Sequence, residues 1–503
     1  MAQVVFAAAL IGLSVELVSV ESDIAFGMRA FNIVGLPDRA VREACGRVEA
    51  AIKNCGFSFP RYRITVNLAP ATLKKQGAGY DLPIALSVLL SDGAKCSSLD
   101  IGKTLVAGEL ALDGTLRHIP GALPIAMAAK KHGFISLIVP ESDKKEAALV
   151  GGVSVLGASN LKEVMAHLEG AIAIQKSAQT PISLLEHPDG QWDMQFVRGQ
   201  ERAKRALEIA AAGAHNVLLS GPPGSGKTML ARGVPSILPM LTVEESLDIT
   251  GIHSVAGTLK SAFVSERPFR SPHHTTSGIA LVGGGTDPRP GEVSLAHRGV
   301  LFLDEFPEFR KDALENLRQP LEDGQITISR AAGTVAFPAK FMLVAAMNPC
   351  PCGFANDPFH RCSCPPALIA KYQKRISGPL MDRIDLCIDV PKTEIEKLAG
   401  NVEAEPSRDI RKRVQAARDI QTKRFHDTSH ITNADMGSKD LRTYCKMLPE
   451  AETMLVTAAK ALRLSARAFT RTIKVSRTIA DLGGDQNINS EHMTEALQFR
   501  ERI

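Results

Sequence analysis

The sequence predicts an α/β protein: two α/β domains in tandem, closed by a helical block. Three observations carry this expectation. Short apolar runs alternate with helical patterns over residues 1–170 and again from Phe196 to about Pro391, the second stretch in the rhythm of a parallel sheet. Residues 171–193 between them hold Gln, Ser, Thr, Pro, Asp and Gly with little periodicity and read as a linker. From Lys392 to Ile503 the pattern is helical. The expected boundaries are therefore 1–170, 171–193, 194–391 and 392–503.

Composition agrees. The 503 residues are 45% apolar and 22% charged, with a net charge of +5, a balance that excludes disorder over most of the chain. The apolar start, Val4 to Val20, lacks a basic lead, contains Glu16 and runs into Glu21, Ser22 and Asp23. It reads as a strand region, not a signal peptide or a span, so the cytoplasm is the expected compartment and no membrane partner is expected. Ile64–Leu68 and Leu105–Leu110 read as strands, Leu82–Leu90 and Ala122–Lys131 as helices. In the last block, Arg408–Arg424, Glu450–Leu464, Phe469–Leu482 and Ser490–Phe499 read as helices. Residues 400–503 carry 18 basic against 14 acidic side chains, which suits a nucleic acid nearby and equally a solvated helical face.

The strongest motif is Gly221, Pro222, Pro223, Gly224, Ser225, Gly226, Lys227, Thr228. It follows the apolar run Val217–Ser220 and precedes a helical stretch from Met229, the strand–loop–helix setting of a phosphate-binding P-loop. Its glycines let backbone N–H groups surround a phosphate at a helix N-terminus. Lys227 is placed to reach the β- and γ-phosphates of ATP, and Thr228 to give a hydroxyl to Mg²⁺. A plain glycine turn would not need all eight residues in this register. About 75 residues on, the apolar run Val300–Leu303 ends in Asp304 and Glu305. Asp304 suits a Mg²⁺ ligand and Glu305 a base that polarises the attacking water. A third apolar run, Phe341–Met347, ends at Asn348, an amide at the edge where a parallel sheet binds its ligand.

The cysteines are nine, and four are clustered: Cys350, Cys352, Cys362 and Cys364. Two Cys-x-Cys pairs can close a tetrahedral, structural Zn²⁺ site, with His360 as an alternative ligand. Redox-active or plainly buried thiols are the competing readings.

This order of P-loop, acidic strand and polar strand end resembles the AAA+ ATPases. The resemblance implies a P-loop parallel-sheet core with a C-terminal helical lid, and a homo-hexameric ring. Ser377 to Asp385 is similar to the arginine-finger region of the magnesium-chelatase and helicase branch, which makes Arg383 the expected finger. Such a finger is worth on the order of 10³–10⁵ in rate; a salt bridge to Asp382 or Asp385 is the structural alternative. Arg467, within Ser465 to Phe469, resembles the second sensor, with Arg471 as competitor. Arg267 to Glu292 and the hairpin-like Gly324 to Pro338 resemble that branch's helix-2 insert and pre-sensor-1 hairpin. Arg270, His273 and His274 in the first and Arg330 at the turn of the second are the expected DNA contacts; packing of a ring interface is the alternative.

Residues 190–503 as a whole resemble the magnesium-chelatase-like ATPases, and within them the ComM (YifB-like) subgroup, through Asn348 to Gly353, Ile376 to Asp385 and the N-terminal block. That block, with Lys75 to Asp81 and Gly108 to Gly121, resembles the Lon protease catalytic domain. It departs at the decisive place: the serine position falls at or beside Gly79 and the lysine position near Leu123 and Pro124, so peptide hydrolysis is not expected. The resemblance implies an ATP-driven DNA helicase that moves branch points in homologous recombination, notably in natural transformation. Single-stranded and branched DNA and the recombinase machinery would be its partners. A protein-remodelling ATPase like the magnesium-chelatase motor subunit is the alternative.

Overall fold

The computed structural model describes residues 4–182, 192–285, 288–330, 333–355, 357, 360–392 and 404–500. The chain divides into two compact units. One comprises Met1–Ser183 together with Ser246–Val264, the other Leu184–Glu245 and Ser265–Ile503. The expected linker is ordered as far as it is described: Ser177 N donates to Val155 O and Thr180 N to Ala148 O.

In the first unit, seven described strands form one sheet in the order Ala30–Val34, Arg63–Ala69, Ser14–Ala25, Val5–Ile11, Thr104–Val106, Ser136–Pro140, Ser154–Ala158. The apolar start of the chain is its first hairpin, Val5 pairing Val20 and Ile11 pairing Ser14. Period-two burial explains it: Val5, Ala7 and Ala9 are buried and so are Val18 and Val20. The helix Asp81–Ser91 is apolar on all sides and buried almost throughout. Its first residue, Asp81, takes a bidentate pair from Arg47, at 2.7 and 2.9 Å. The strand expected over Leu105–Leu110 is in fact two, Thr104–Val106 and Glu109–Leu110. Gly108 separates them, its N–H donating to Gly79 O and its carbonyl accepting from Leu82 N. Those bonds draw the backbone out of the sheet ladder. Leu123 is buried and Gly79 is a turn residue, so neither dyad position bears a nucleophile. Lys75 is buried and donates to the Pro70 carbonyl, with burial holding its pKa below the usual range.

The second unit is built on five described strands, all parallel, in the order Phe269–Arg270, Val300–Leu303, Met342–Met347, Val217–Ser220, Leu386–Asp389. Both faces are covered, as continuous apolar strands require. On one side Val217, Leu219, Phe302 and Val344 pack with Ala210, Leu230, Val234, Val414 and Ile479. On the other Leu218, Leu301, Leu303 and Leu343 pack with Phe306, Leu314 and Leu380. Gln325–Arg330 and Gly333–Pro338 form the expected antiparallel hairpin. The C-terminal helices run Ser407–Arg424, Pro449–Ala461, Ala466–Gly483 and Ser490–Gln498, within a few residues of the pattern.

His297 lies in this core, and its Nδ1 accepts from Lys340 N at 3.1 Å. The ring is therefore neutral, and burial with Arg298, Lys340 and Arg267 nearby pushes its pKa down to about 3. The unfolded chain takes up this proton near the ordinary value of 6.5, the folded chain only near 3. Between those values the unfolded state binds more protons. Stability contributed above 6.5 is therefore lost as pH falls, by roughly 1.4 kcal/mol per pH unit. His297→Asn, whose amide oxygen can accept the same bond, is expected to flatten the fall in melting temperature between pH 6.5 and 4. Equal slopes for the two proteins would count against this.

Candidate nucleotide site

Three adjacent parallel strands end side by side, and the residues that follow them converge. Beyond Val217–Ser220 the chain forms the loop Gly221 to Gly226 and enters the helix Lys227–Ile237. Gly224 and Gly226 take φ of 75° and 89°, left-handed backbone that side chains disfavour, and this turns the loop back over the helix N-terminus. Lys227 Nζ donates to Gly221 O at 2.7 Å, Pro222 O at 2.9 Å and Asn348 Oδ1 at 3.2 Å. Burial lowers the pKa of Lys227, with Asp304 opposing. Thr228 Oγ1 donates to Asp304 Oδ2 at 2.9 Å. The loop, the acidic strand and the polar strand end thus meet at one ammonium and one hydroxyl. Among the described residues, Ser225 Oγ is buried with no hydrogen-bond partner, as a group reserved for a ligand would be.

Glu305 follows Asp304 with φ of 51°, an uncommon conformation for a non-glycine residue, and its side chain is half exposed. His274 Nδ1 lies 3.1 Å from Glu305 Oε2, and the His273 and His274 rings are 4.1 Å apart. Sequence reasoning placed His274 on DNA; the structure places it on the acidic residue of this site. His273 Nδ1 is 2.9 Å from Thr275 Oγ1, on the exposed side of the same turn.

Beside the P-loop, Cys350, Cys352, Cys362 and Cys364 converge, their sulfurs all within 4.8 Å of one another, a group able to hold a metal ion. His360, the alternative ligand, is not among them; it stacks on Phe354 at 4.9 Å.

Family models match along the chain in the same order. "Subunit ChlI of Mg-chelatase" matches residues 20–143, "Magnesium chelatase, subunit ChlI" matches 193–398 and "Magnesium chelatase, subunit ChlI C-terminal" matches 404–500. The chain is 42% identical to protein YifB of Escherichia coli (strain K12), covering 99% of this chain and 96% of that protein. It is also 42% identical to the competence protein ComM of Haemophilus influenzae, over 99% and 97%. The chain belongs to the YifB and ComM group of the magnesium-chelatase-like AAA+ family. More distantly, 53% of it is 23% identical to the DNA replication licensing factor MCM3 of Entamoeba histolytica, covering 39% of that protein.

The arginines expected from this family lie at the opposite, N-terminal edge of the sheet. Arg383 precedes the strand Leu386–Asp389 and is 5% exposed. It pairs with Glu322 Oε2 and donates to Arg318 O at 3.1 Å and to Pro379 O at 2.5 Å. Its partner is thus neither Asp382 nor Asp385, and its guanidinium is not presented outward. Arg467 is half exposed and donates to the other oxygen of the same carboxylate, Glu322 Oε1, at 2.8 Å. Arg471 pairs with Asp385 at 2.5 Å. Burial alone would raise the Asp385 pKa, yet Arg471 and His215 hold it far below the carboxylate range. A cavity of ≈ 550 Å³ opens at this edge, lined by Asn216, Glu322, Asp385, Arg418 and Arg471 among others. Glu322 was invisible to sequence reasoning, because nothing local marks a carboxylate that meets arginines 61 and 145 residues away.

Arg270 is also committed within the chain, with a bidentate pair to Glu292 at 2.6 and 2.8 Å. That pair occupies the fork of its guanidinium. Arg330 ends the first hairpin strand, paired with Gly333.

Proposed function

We propose that this protein is a ring-forming ATPase, a homo-hexamer, that couples ATP hydrolysis to movement along DNA and drives branch migration in homologous recombination, including DNA uptake by natural transformation. The observation that carries the ATPase reading is the meeting of Lys227, Thr228, Asp304 and Asn348 around one loop. The polynucleotide reading is supported by full-length similarity to a competence protein, partial similarity to a replication licensing factor and the hairpin whose first strand ends at Arg330.

In this reading the three oxygens now bound by Lys227 give way to phosphate oxygens, and the ammonium is already aimed at them. The backbone N–H groups of Gly224 to Thr228 and the helix N-terminus add positive potential. Thr228 and Asp304 would hold Mg²⁺, which neutralises phosphate charge when bound. Glu305 takes the proton of the attacking water, with His274 fixing its carboxylate. Asn348 orients that water or the γ-phosphate. Arg467, half exposed, acts on a neighbouring subunit's nucleotide, and Arg383 joins it on leaving the Glu322 carboxylate against which it is buried. The cysteine cluster holds a structural Zn²⁺.

Steady-state ATP turnover without DNA, with single-stranded DNA and with a four-way junction, at fixed salt, tests the proposal. A rise with DNA, followed by junction movement in a branch-migration assay, is the expected result. Turnover indifferent to every DNA would sink the helicase reading and favour a protein-remodelling motor.

A further inference from the structure

The cysteine cluster lies against the P-loop. Cys350 follows Asn348 by two residues, and Gly353 turns with φ of 84° directly over Pro223. A Cβ on Gly353 would fall 2.5 Å from Pro223 Cδ, a distance no Cβ tolerates. The other side of the cysteine loop is fixed to the end of the last strand. Lys392 Nζ is 3.0 Å from the buried Asp357 carboxylate and 5.3 Å from the Phe354 ring centre. The turn at Gly353 therefore lies directly against the loop that leads into Lys227 and Thr228.

The sulfurs are spaced for a metal. Cys350 and Cys352 are 3.4 Å apart, Cys350 and Cys362 3.7 Å, Cys352 and Cys362 3.6 Å. Tetrahedral Zn²⁺ with bonds of about 2.3 Å sets its sulfurs about 3.8 Å apart, whereas a disulfide needs about 2.05 Å. The Ala355 N–H points at Cys350 Sγ at 3.3 Å and the Cys364 N–H at Cys362 Sγ at 3.4 Å, bonds that favour the charged thiolates. Four thiolates leave no open position, so the ion does no chemistry on substrate. Among the described residues the loop it closes has few buried apolar side chains, and a metal supplies the missing cohesion.

We propose that Cys350, Cys352, Cys362 and Cys364 bind one Zn²⁺ whose function is to brace the P-loop: the metal fixes the Gly353 turn, and that turn fixes Pro223. This rests on the reading of Gly221 to Thr228 as the nucleotide site. The metal content of the nucleotide-binding protein then sets its affinity for ATP.

The test uses the full chain. Zinc is measured by elemental analysis, and nucleotide affinity by titration with a fluorescent ADP analogue. One zinc per chain is expected, and its removal by a chelator should weaken nucleotide binding about tenfold, reversibly on adding zinc back. Pro223→Ala leaves the cysteine loop and all four ligands untouched and should keep its zinc, yet its nucleotide affinity should respond less to zinc removal, because the contact with Gly353 is lost. Circular dichroism checks that the variant is folded, and the chelation arm does not depend on it. Absence of zinc both as purified and after titration overturns the metal site. Zinc removal with unchanged affinity overturns the bracing role. Lys227→Ala separates the two readings: if it binds nucleotide as tightly as the parent, the nucleotide site itself is misplaced, and zinc content still decides the metal.

Discussion

Lys227→Ala is expected to lower ATP turnover at least on the order of 10²–10³-fold, the usual cost of removing one donor aimed at developing negative charge. The fold should survive. Among the described residues Lys227 Nζ donates to the loop carbonyls of Gly221 and Pro222 and to Asn348, so its loss strands three acceptors at about 1–3 kcal/mol each where water cannot reach them. The helix Lys227–Ile237 keeps its buried face through Leu230, Ala231 and Val234. Nucleotide affinity falls along with turnover, because the ammonium meets phosphate in both ground and transition states. Glu305→Gln should behave differently. The side chain is half exposed and touches His274, not the P-loop, so nucleotide affinity is retained while hydrolysis drops on the order of 10²–10⁴-fold. Titration and turnover on both variants check the pair. Retained turnover in Lys227→Ala would remove the P-loop from the mechanism. Weakened binding in Glu305→Gln would make that residue a ligand contact and not the base.

What the sequence made legible divides by range. The P-loop, the acidic strand and the hairpin each announce themselves within a dozen residues, because apolar runs and glycines act locally. The lid helices are legible for the same reason: Ile410, Val414 and Ala417, and Val475 and Ile479, recur at helical spacing and are buried. The strand Leu105–Leu110 was read as continuous because Gly108 looks like any residue of an apolar run, and its bonds to Gly79 and Leu82 appear only when the chain is folded. Arg270 and His274 look alike in sequence, two basic residues in a turn-rich insert. Which carboxylate each one meets, Glu292 or Glu305, is a fact of tertiary structure. The four cysteines were legible as a set, but the approach of Gly353 to Pro223 was not, since it depends on one turn conformation.

Arg383→Ala should be as inactive as Lys227→Ala, and a mixture of the two variants should regain activity. The reason is position. Arg383 and Asp385 stand before the strand Leu386–Asp389, which runs parallel to Val217–Ser220, whereas Gly221 to Thr228 follow that strand. Four residues of strand at about 3.3 Å each separate the two edges by roughly 13 Å, too far for a guanidinium to reach its own chain's γ-phosphate. Arg383 therefore does not reach its own chain's γ-phosphate, and in the proposed ring a neighbour's nucleotide is the one that it and Arg467 would serve; the Glu322 carboxylate joins the two arginines, one oxygen to each. In a randomly mixed ring, a site with an intact P-loop from the Arg383→Ala chain beside an intact arginine from the Lys227→Ala chain occurs at about a quarter of positions, so roughly that share of turnover should return. Mixing variants that each lack Lys227 gives nothing. Glu322→Ala removes the carboxylate that the two arginines share without touching the P-loop. Its nucleotide affinity should stay near the parent value while turnover falls. A mixture no more active than its components would show that the arginines act within their own chain or not at all. An unchanged turnover in Glu322→Ala would show that the shared carboxylate is a surface pair of the ordinary kind, worth little.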